Sequence, residues 1–170
     1  APFKIFKGIE SDILYDGSLD YAPDILAGFD FVIASIHSTL RMDQQRATER
    51  LITAIKNPYT HILGHPTGRL LLSREGYPID HKAVIDACAQ YDVAIELNAN
   101  PLRLDLDHTW IPYALEKGVL MAICPDAHSL DGVHDVHYGT LAARKGLLTA
   151  ATCLTAWELD QFEDWLQKKP

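Results

Sequence analysis

Short apolar, β-branched runs alternate with helical periodicities along the whole chain. "FKIFKGIESDIL" (3–14) reads as a first strand, followed by the turn "YDGSLDY" and a short helix in "APDILAGF". "FVIASIH" (31–37) is a second strand, and "MDQQRATERLITAIKN" a helix that Pro58 ends. "THILGH" (60–65) is a short third strand. "DHKAVIDACAQY" has an amphipathic pattern with Asp80 placed as N-cap, and "VAIELNAN" (93–100) is a fourth strand. "DHTWIPYALEKG" predicts a helix with Pro112 in its first turn and Gly118 closing it, and "VLMAIC" (119–124) a fifth strand. Further helices are expected near 134–145 and, with Thr155 as N-cap, over 155–168. Strand and helix alternating through short connections predict parallel βα units: an α/β fold of about five parallel strands with flanking helices, in one domain over 1–170.

The strand ends carry the chemistry. The apolar run "VLMAIC" delivers Asp126 and His128 directly after it, and side chains at i and i+2 of an extended segment point the same way. The other strands also close on polar residues: Glu10 and Asp12, then His37, then His65, then Glu96, Asn98 and Asn100. In a parallel sheet or barrel the carboxyl ends of all strands share one rim, where catalytic groups gather. A rim of imidazoles and carboxylates without thiolate suits Zn²⁺, Mn²⁺ or Fe²⁺ better than Ca²⁺ or Mg²⁺. A carboxylate such as Glu10 can bridge two ions, an arrangement suited to in-line phosphoryl displacement. Arg69 in "GHPTGRLL" and Arg103 in "NANPLRLDLD" lie on loops of the same rim, where a guanidinium can take a pair of phosphate oxygens. The plainer alternative is that each pairs with a local Asp, Asp105 in the case of Arg103. The remaining histidines read as bystanders: His61 begins its strand on the opposite face, His81 opens a helix, His108 sits in an acidic loop, and His134 and His137 follow the Asp126 loop.

Composition narrows the partners. Fifteen basic against 23 acidic residues give a formal charge of −8, without the basic footprint of an autonomous nucleic-acid-binding module. The three cysteines, Cys88, Cys124 and Cys153, lack any C-x-x-C pairing and read as reduced apolar fillers in a cytoplasmic protein. No apolar run approaches the ~18 residues of a membrane span. The opening Ala-Pro-Phe, without an initiator Met, suggests processing or a preceding piece.

The segments "GIESDILYDGSLDY", "DFVIASIHS", "NPYTHILGHPTGRLL", "ELNANPLRLDL", "DAHS" and "YGTLAARKGLL" resemble the PHP (polymerase and histidinol phosphatase) domain, most nearly that at the C-terminus of bacterial and archaeal family X DNA polymerases. The resemblance implies a distorted (β/α)7 TIM-like barrel holding up to three ions, Mn²⁺, Zn²⁺ or Fe²⁺, at its carboxyl rim. By matching motifs it implies Glu10, His37, His65, Asp126 and His128 as metal ligands, Glu10, His65 and Asp126 among them acting in catalysis. Arg69, Arg103 and Asn100 then fall to the substrate. The implied activity is metal-dependent phosphoesterase action on DNA, of the 3′–5′ exonuclease or DNA-repair type, in a protein linked to polymerase domains. Rival readings are a stand-alone phosphatase of a small monoester such as histidinol phosphate, and a non-catalytic domain that keeps metal as structural support. Two departures stand out. Pro125 precedes the "DAH" motif where relatives more often have Thr or Ser, and the family's opening His-x-His motif and its following carboxylate have no counterpart here. The chain is therefore expected to be the C-terminal part of a PHP barrel with open strand edges, which pairs with a missing N-terminal segment, dimerises across the open edge or fills that edge by rearrangement.

Overall fold

The computed structural model describes residues 3–170. Its five strands, β1 (Gly8–Asp12), β2 (Phe31–Ser35), β3 (Ile62–Leu63), β4 (Ala94–Asn98) and β5 (Met121–Cys124), form one all-parallel sheet in sequence order. Six α-helices accompany them among the described residues: α1 (Pro23–Leu26), α2 (Gln44–Ile55), α3 (His81–Gln90), α4 (Ile111–Glu116), α5 (Val136–Lys145) and α6 (Leu159–Leu166). The α/β class and the parallel order are those of part of a TIM-like barrel.

Several local expectations hold for stated reasons. Asp80 caps α3 by accepting the Ala83 N–H at 3.1 Å, and Asp43 does the same for α2 through Arg46 N–H at 2.7 Å. Pro112 sits in the first turn of α4, where its missing N–H is harmless. Others are corrected. The first strand begins at Gly8 rather than at residue 3, and the third is only two residues long. The last helix starts at Leu159, because Glu158 and Gln161 form a capping box there. Thr155 instead accepts the Ile123 N–H at 3.2 Å, and Cys153 bridges to Met121. The 150–156 segment thereby covers part of the outer edge of β5, an edge expected to be open. The outer edge of β1 has no strand partner among the described residues.

The register decides what each sheet face carries. Val32, Ala34, Leu63, Ile95, Leu97 and Met121 point into the main core against α2, α3, α4 and α5. The opposite face changes character along the strands. At its amino-terminal half Phe31, Ile33, Ile62, Ala94 and Leu120 are sealed by Phe162, Trp165 and Leu166 of α6. At its carboxyl half the same face presents Glu10, Asp12, Ser35, Glu96 and Asn98, by the pairings Glu10↔Ile33, Asp12↔Ser35 and Glu96↔Ala122. One helix therefore plugs the apolar half, and the polar half is left for the site.

Gly64 marks the tightest place in this arrangement. A Cβ there would run into the Ser35 hydroxyl and would stand 2.9 Å from Ile33 Cγ2. Gly64→Ala is expected to destabilise the protein by about 1–3 kcal/mol through overpacking. Urea denaturation reads this directly, and an unchanged midpoint would show that β2 and β3 are not held so closely.

Candidate metal centre

Three ligand groups meet above the polar half of the sheet. Glu10 Oε1 lies 3.2 Å from His37 Nε2 and 3.2 Å from His65 Nε2. Glu10, His37 and His65 each offer a ligand atom within 4.8 Å of the other two. Around one ion with bonds of ~2.1 Å, tetrahedral neighbours stand ~3.4 Å apart, so an N₂O donor set of this spacing fits a divalent metal. The second ring nitrogen of His37 is hydrogen-bonded to Asp12 Oδ1, which orients the ring so that Nε2 faces Glu10. Carboxylate–histidine pairs of this kind commonly orient metal-binding imidazoles. Alternation along β1 explains both carboxylates, since residues 10 and 12 share a face.

His65 is held differently. Its side chain is only 2% exposed, and its backbone N–H donates to Glu96 Oε2 at 2.5 Å. The loop that follows is tied to the loop after β4 by Asp105, whose Oδ2 accepts the Thr67 N–H at 2.9 Å, the Thr67 hydroxyl at 3.0 Å and the Gly68 N–H at 2.9 Å. Asp105 is thus a buried tie between loops, and not the partner of Arg103.

The two groups expected from the fifth strand are arranged otherwise. Asp126 has φ of 51°, so the chain has left the extended conformation and the i, i+2 rule no longer aligns it with His128. Asp126 Oδ2 accepts from Asn98 Nδ2 at 3.1 Å and lies 3.6 Å from Arg103 Nε. His128 is 86% exposed, its Nδ1 2.8 Å from the Asp126 carbonyl oxygen. Neither joins the cluster of Glu10, His37 and His65. The substrate contacts divide as well. Arg69 donates from Nε to Arg103 O at 2.9 Å, from Nη1 to Asp107 Oδ2 at 2.7 Å and from Nη2 to Leu104 O. It straps the loop after β4 and pairs with a local Asp, the plainer of the two roles expected for it. Asn100 Oδ1 accepts the Leu102 N–H at 2.9 Å and so shapes a turn. Arg103 alone of the three faces a candidate ligand. Of the bystanders, His61 is buried against Trp165, and His81 stacks on Trp110 with ring centroids 4.5 Å apart.

Electrostatics sharpen the cluster. Hydrogen bonds from His37 and then His65 hold the Glu10 carboxyl well below the usual carboxylate range. The bond to Glu10 raises His37 to about 9. Beneath them Glu96 is pushed up to about 7 by burial, with Asn98 Nδ2 3.5 Å from its Oε2. Strand-end position pointed to Glu96, but its buried place under His65 follows only from the register.

Fold and site together define the class: a parallel βα segment with imidazole and carboxylate side chains gathered on its carboxyl rim. Over 166 residues, 98% of its length, the chain is 44% identical to the DNA polymerase/3′-5′ exonuclease PolX of Bacillus subtilis, of which it covers 29%. It is 36% identical over 135 residues to a "Probable phosphatase" of Caldanaerobacter subterraneus, covering 74% of this chain and 51% of that protein. A "Probable phosphatase" of Caldicellulosiruptor bescii is 43% identical over 100 residues, 55% of this chain and 38% of that protein. The chain thus spans between under a third and about half of the curated relatives it matches. No family profile matches the chain. The similarity to a DNA polymerase/3′-5′ exonuclease PolX agrees with the resemblance that the motifs carry. No helix among the described residues is long and apolar enough to cross a membrane.

Two expectations follow from the proton balance. His37 must lose its proton to bind a metal, so affinity for Mn²⁺ should climb from about pH 6 and level off above about 9. Isothermal titration across that range checks this, and a flat profile would contradict it. In metal-free protein the raised His37 contributes stability that is complete below about 6.5 and fades as pH rises through about 9, whereas the depressed Glu10 contributes above about 4.5. Glu96 acts the other way: its raised pKa makes ionisation increasingly costly between about 4.5 and about 7. Glu96→Gln keeps an acceptor for the His65 N–H without the charge. It should stabilise the metal-free fold by up to about 3 kcal/mol near pH 8.5 and not at all near pH 4. Thermal melts at the two pH values decide it, and equal shifts would remove the ionisation account.

Proposed function

We propose that this chain carries the ligand-bearing part of a metal-dependent phosphoesterase that removes nucleotides from a DNA 3′ end. The observation that carries the reading is the convergence of Glu10 Oε1 with the Nε2 atoms of His37 and His65. The B. subtilis relative is named as a DNA polymerase and 3′-5′ exonuclease, which supports DNA as the substrate class. In this reading Glu10, His37 and His65 hold Mn²⁺ or Zn²⁺, Asp126 and His128 complete the ligand set from the loop after β5, and up to three ions bind in the whole barrel. A bound divalent ion supplies Lewis acidity toward a phosphoryl oxygen and an acidified water as nucleophile. Among the chain's own groups, Asp12 fixes the His37 ring, and Glu96 fixes the backbone of His65. Arg103 stands beside Asp126 at the rim, placed to turn from that carboxylate to a phosphate oxygen. The uncovered edge of β1 is where further strands of a whole barrel, linked to polymerase domains, add to the sheet.

Relatives named as probable phosphatases, together with the acidic net charge of −8, favour a second reading, hydrolysis of a small phosphate monoester. End-labelled single-stranded DNA and histidinol phosphate, each with Mn²⁺ and the full-length protein, separate the two. Shortening of the DNA from its 3′ end is expected. Turnover of the monoester alone would overturn the DNA reading, and turnover of neither would leave a metal-binding structural domain. Asp126→Asn should lower the Mn²⁺-dependent rate by about 100-fold or more, with little effect on the melting temperature. An unchanged rate would remove Asp126 from the ligand set.

A further inference from the structure

Arg50 is a charged side chain with no surface: it is 0% exposed, on the core-facing side of α2. Its guanidinium is satisfied by backbone carbonyls. Nε donates to Leu14 O at 2.7 Å and Nη2 to Ile13 O, while Nη1 lies 3.1 Å from Ser38 O and 3.4 Å from Thr39 O, with Met42 Sδ at 3.5 Å. These four carbonyls belong to two segments. Ile13 and Leu14 follow Asp12 directly, and Ser38 and Thr39 follow His37 directly.

Two further contacts press the first segment onto the same helix. Arg46, one turn before Arg50, donates to Tyr15 O and lies over the Tyr15 ring at 4.3 Å. Gly17, at φ 90°, comes so near that a Cβ would meet Arg50 O at 2.9 Å. The loop after β1 is therefore gripped at successive residues by α2, and among the described residues the hydrogen bonds of Arg50 extend that grip to the loop after β2.

We propose that Arg50 is a positioning residue for the metal centre. By joining the carbonyls after Asp12 to those after His37, it fixes the separation of the Glu10–Asp12 end of β1 from the imidazole of His37. The guanidinium fork suits this task. It is planar, permanently charged and presents donors in several directions at once, so one side chain can satisfy carbonyls of two loops. A lysine head is a point charge that can reach one loop or the other. The inference rests on the metal-centre reading, since it assigns a purpose to the spacing of those ligands. It goes further in placing part of that centre's geometry in a helix that contributes no ligand.

The test is a titration of the protein with Co²⁺ alone, followed by its visible absorption, beside thermal melts of the metal-free protein. The variants are Arg50→Met, Arg50→Lys and, as a control for stability, Ile55→Ala, which opens the core on the same helix at a fully buried residue. Arg50→Met should weaken Co²⁺ binding by about 10- to 100-fold and change the shape of the band, the range for residues that hold ligands from behind. Ile55→Ala should lower the melting temperature and leave Co²⁺ affinity within about 2-fold. Arg50→Lys should bind between the two. If Arg50→Met does not fold, Arg50→Lys is read in its place: weakened binding supports the assignment, and wild-type affinity and spectrum overturn it. Equal weakening by the Ile55 and Arg50 variants also overturns it, as does failure of both Arg50 variants to fold, because Arg50 would then serve the fold at large. A wild-type protein that binds no Co²⁺ refutes the metal-centre reading and this inference with it. Unaltered binding in the Arg50 variants refutes this inference alone.

Discussion

Along a parallel strand every second side chain lies on the same face, one step nearer the carboxyl edge. The whole centre depends on that regularity and on the register that locks five strands to one another. Glu10 and Asp12 fall on one face of β1, opposite Ile33 and Ser35 of β2, and Glu96 of β4 falls on the same face at the level of Asp12 and Ser35. A slip of one residue in β1 would bury Ser11 in the site and turn both carboxylates into the apolar core. The two cores enforce the register from both sides, with α2 to α5 on one face and α6 on the amino-terminal half of the other.

The same face sets up an electrostatic opposition. Glu10 and His37 stabilise each other as an ion pair, while Glu96 is buried just beneath with its carboxyl held near neutrality by desolvation. Glu10 and His37 keep partial access to solvent, and Glu96, covered at the His65 backbone, loses it. A nearby metal would reward a neutral His37 and an ionised Glu96, which the metal-free site resists, and an ionised Glu10, which it already favours. Loops after β3 and β4 are joined through Asp105, and those after β1 and β2 through Arg50. The ligand atoms are accordingly carried on strand ends whose continuations are fastened to one another.

The strand ends were legible because period-two patterning and βα spacing both mark them. Glu10, His37 and His65 came together as the pattern implied. What the pattern missed has physical causes. Pro125 and the positive φ at Asp126 end the extended geometry two residues too soon for strand alternation to govern Asp126 and His128. For Arg69 the pattern left a phosphate clamp and a local Asp partner both open, and only the loop after β4, folding back to offer Asp107 and two carbonyls, supplies the partner. Thr155 looked like a helix cap, yet it serves the edge of β5, a tertiary contact that local patterning does not encode. Arg50 left a trace that could have been read: it falls between Ala47, Leu51 and Ala54 on the buried stripe of α2, where an unpaired charge is out of place unless something fixed surrounds it.

The central claim is that Glu10, His37 and His65 form one divalent-metal site. Anomalous diffraction from crystals soaked in Mn²⁺ tests it most directly. The account predicts a peak bonded to Glu10 Oε1 and to the Nε2 atoms of both histidines, with Asp12 still on the far side of the His37 ring. A peak bound elsewhere, or none while Glu10 and His37 remain paired, would contradict it.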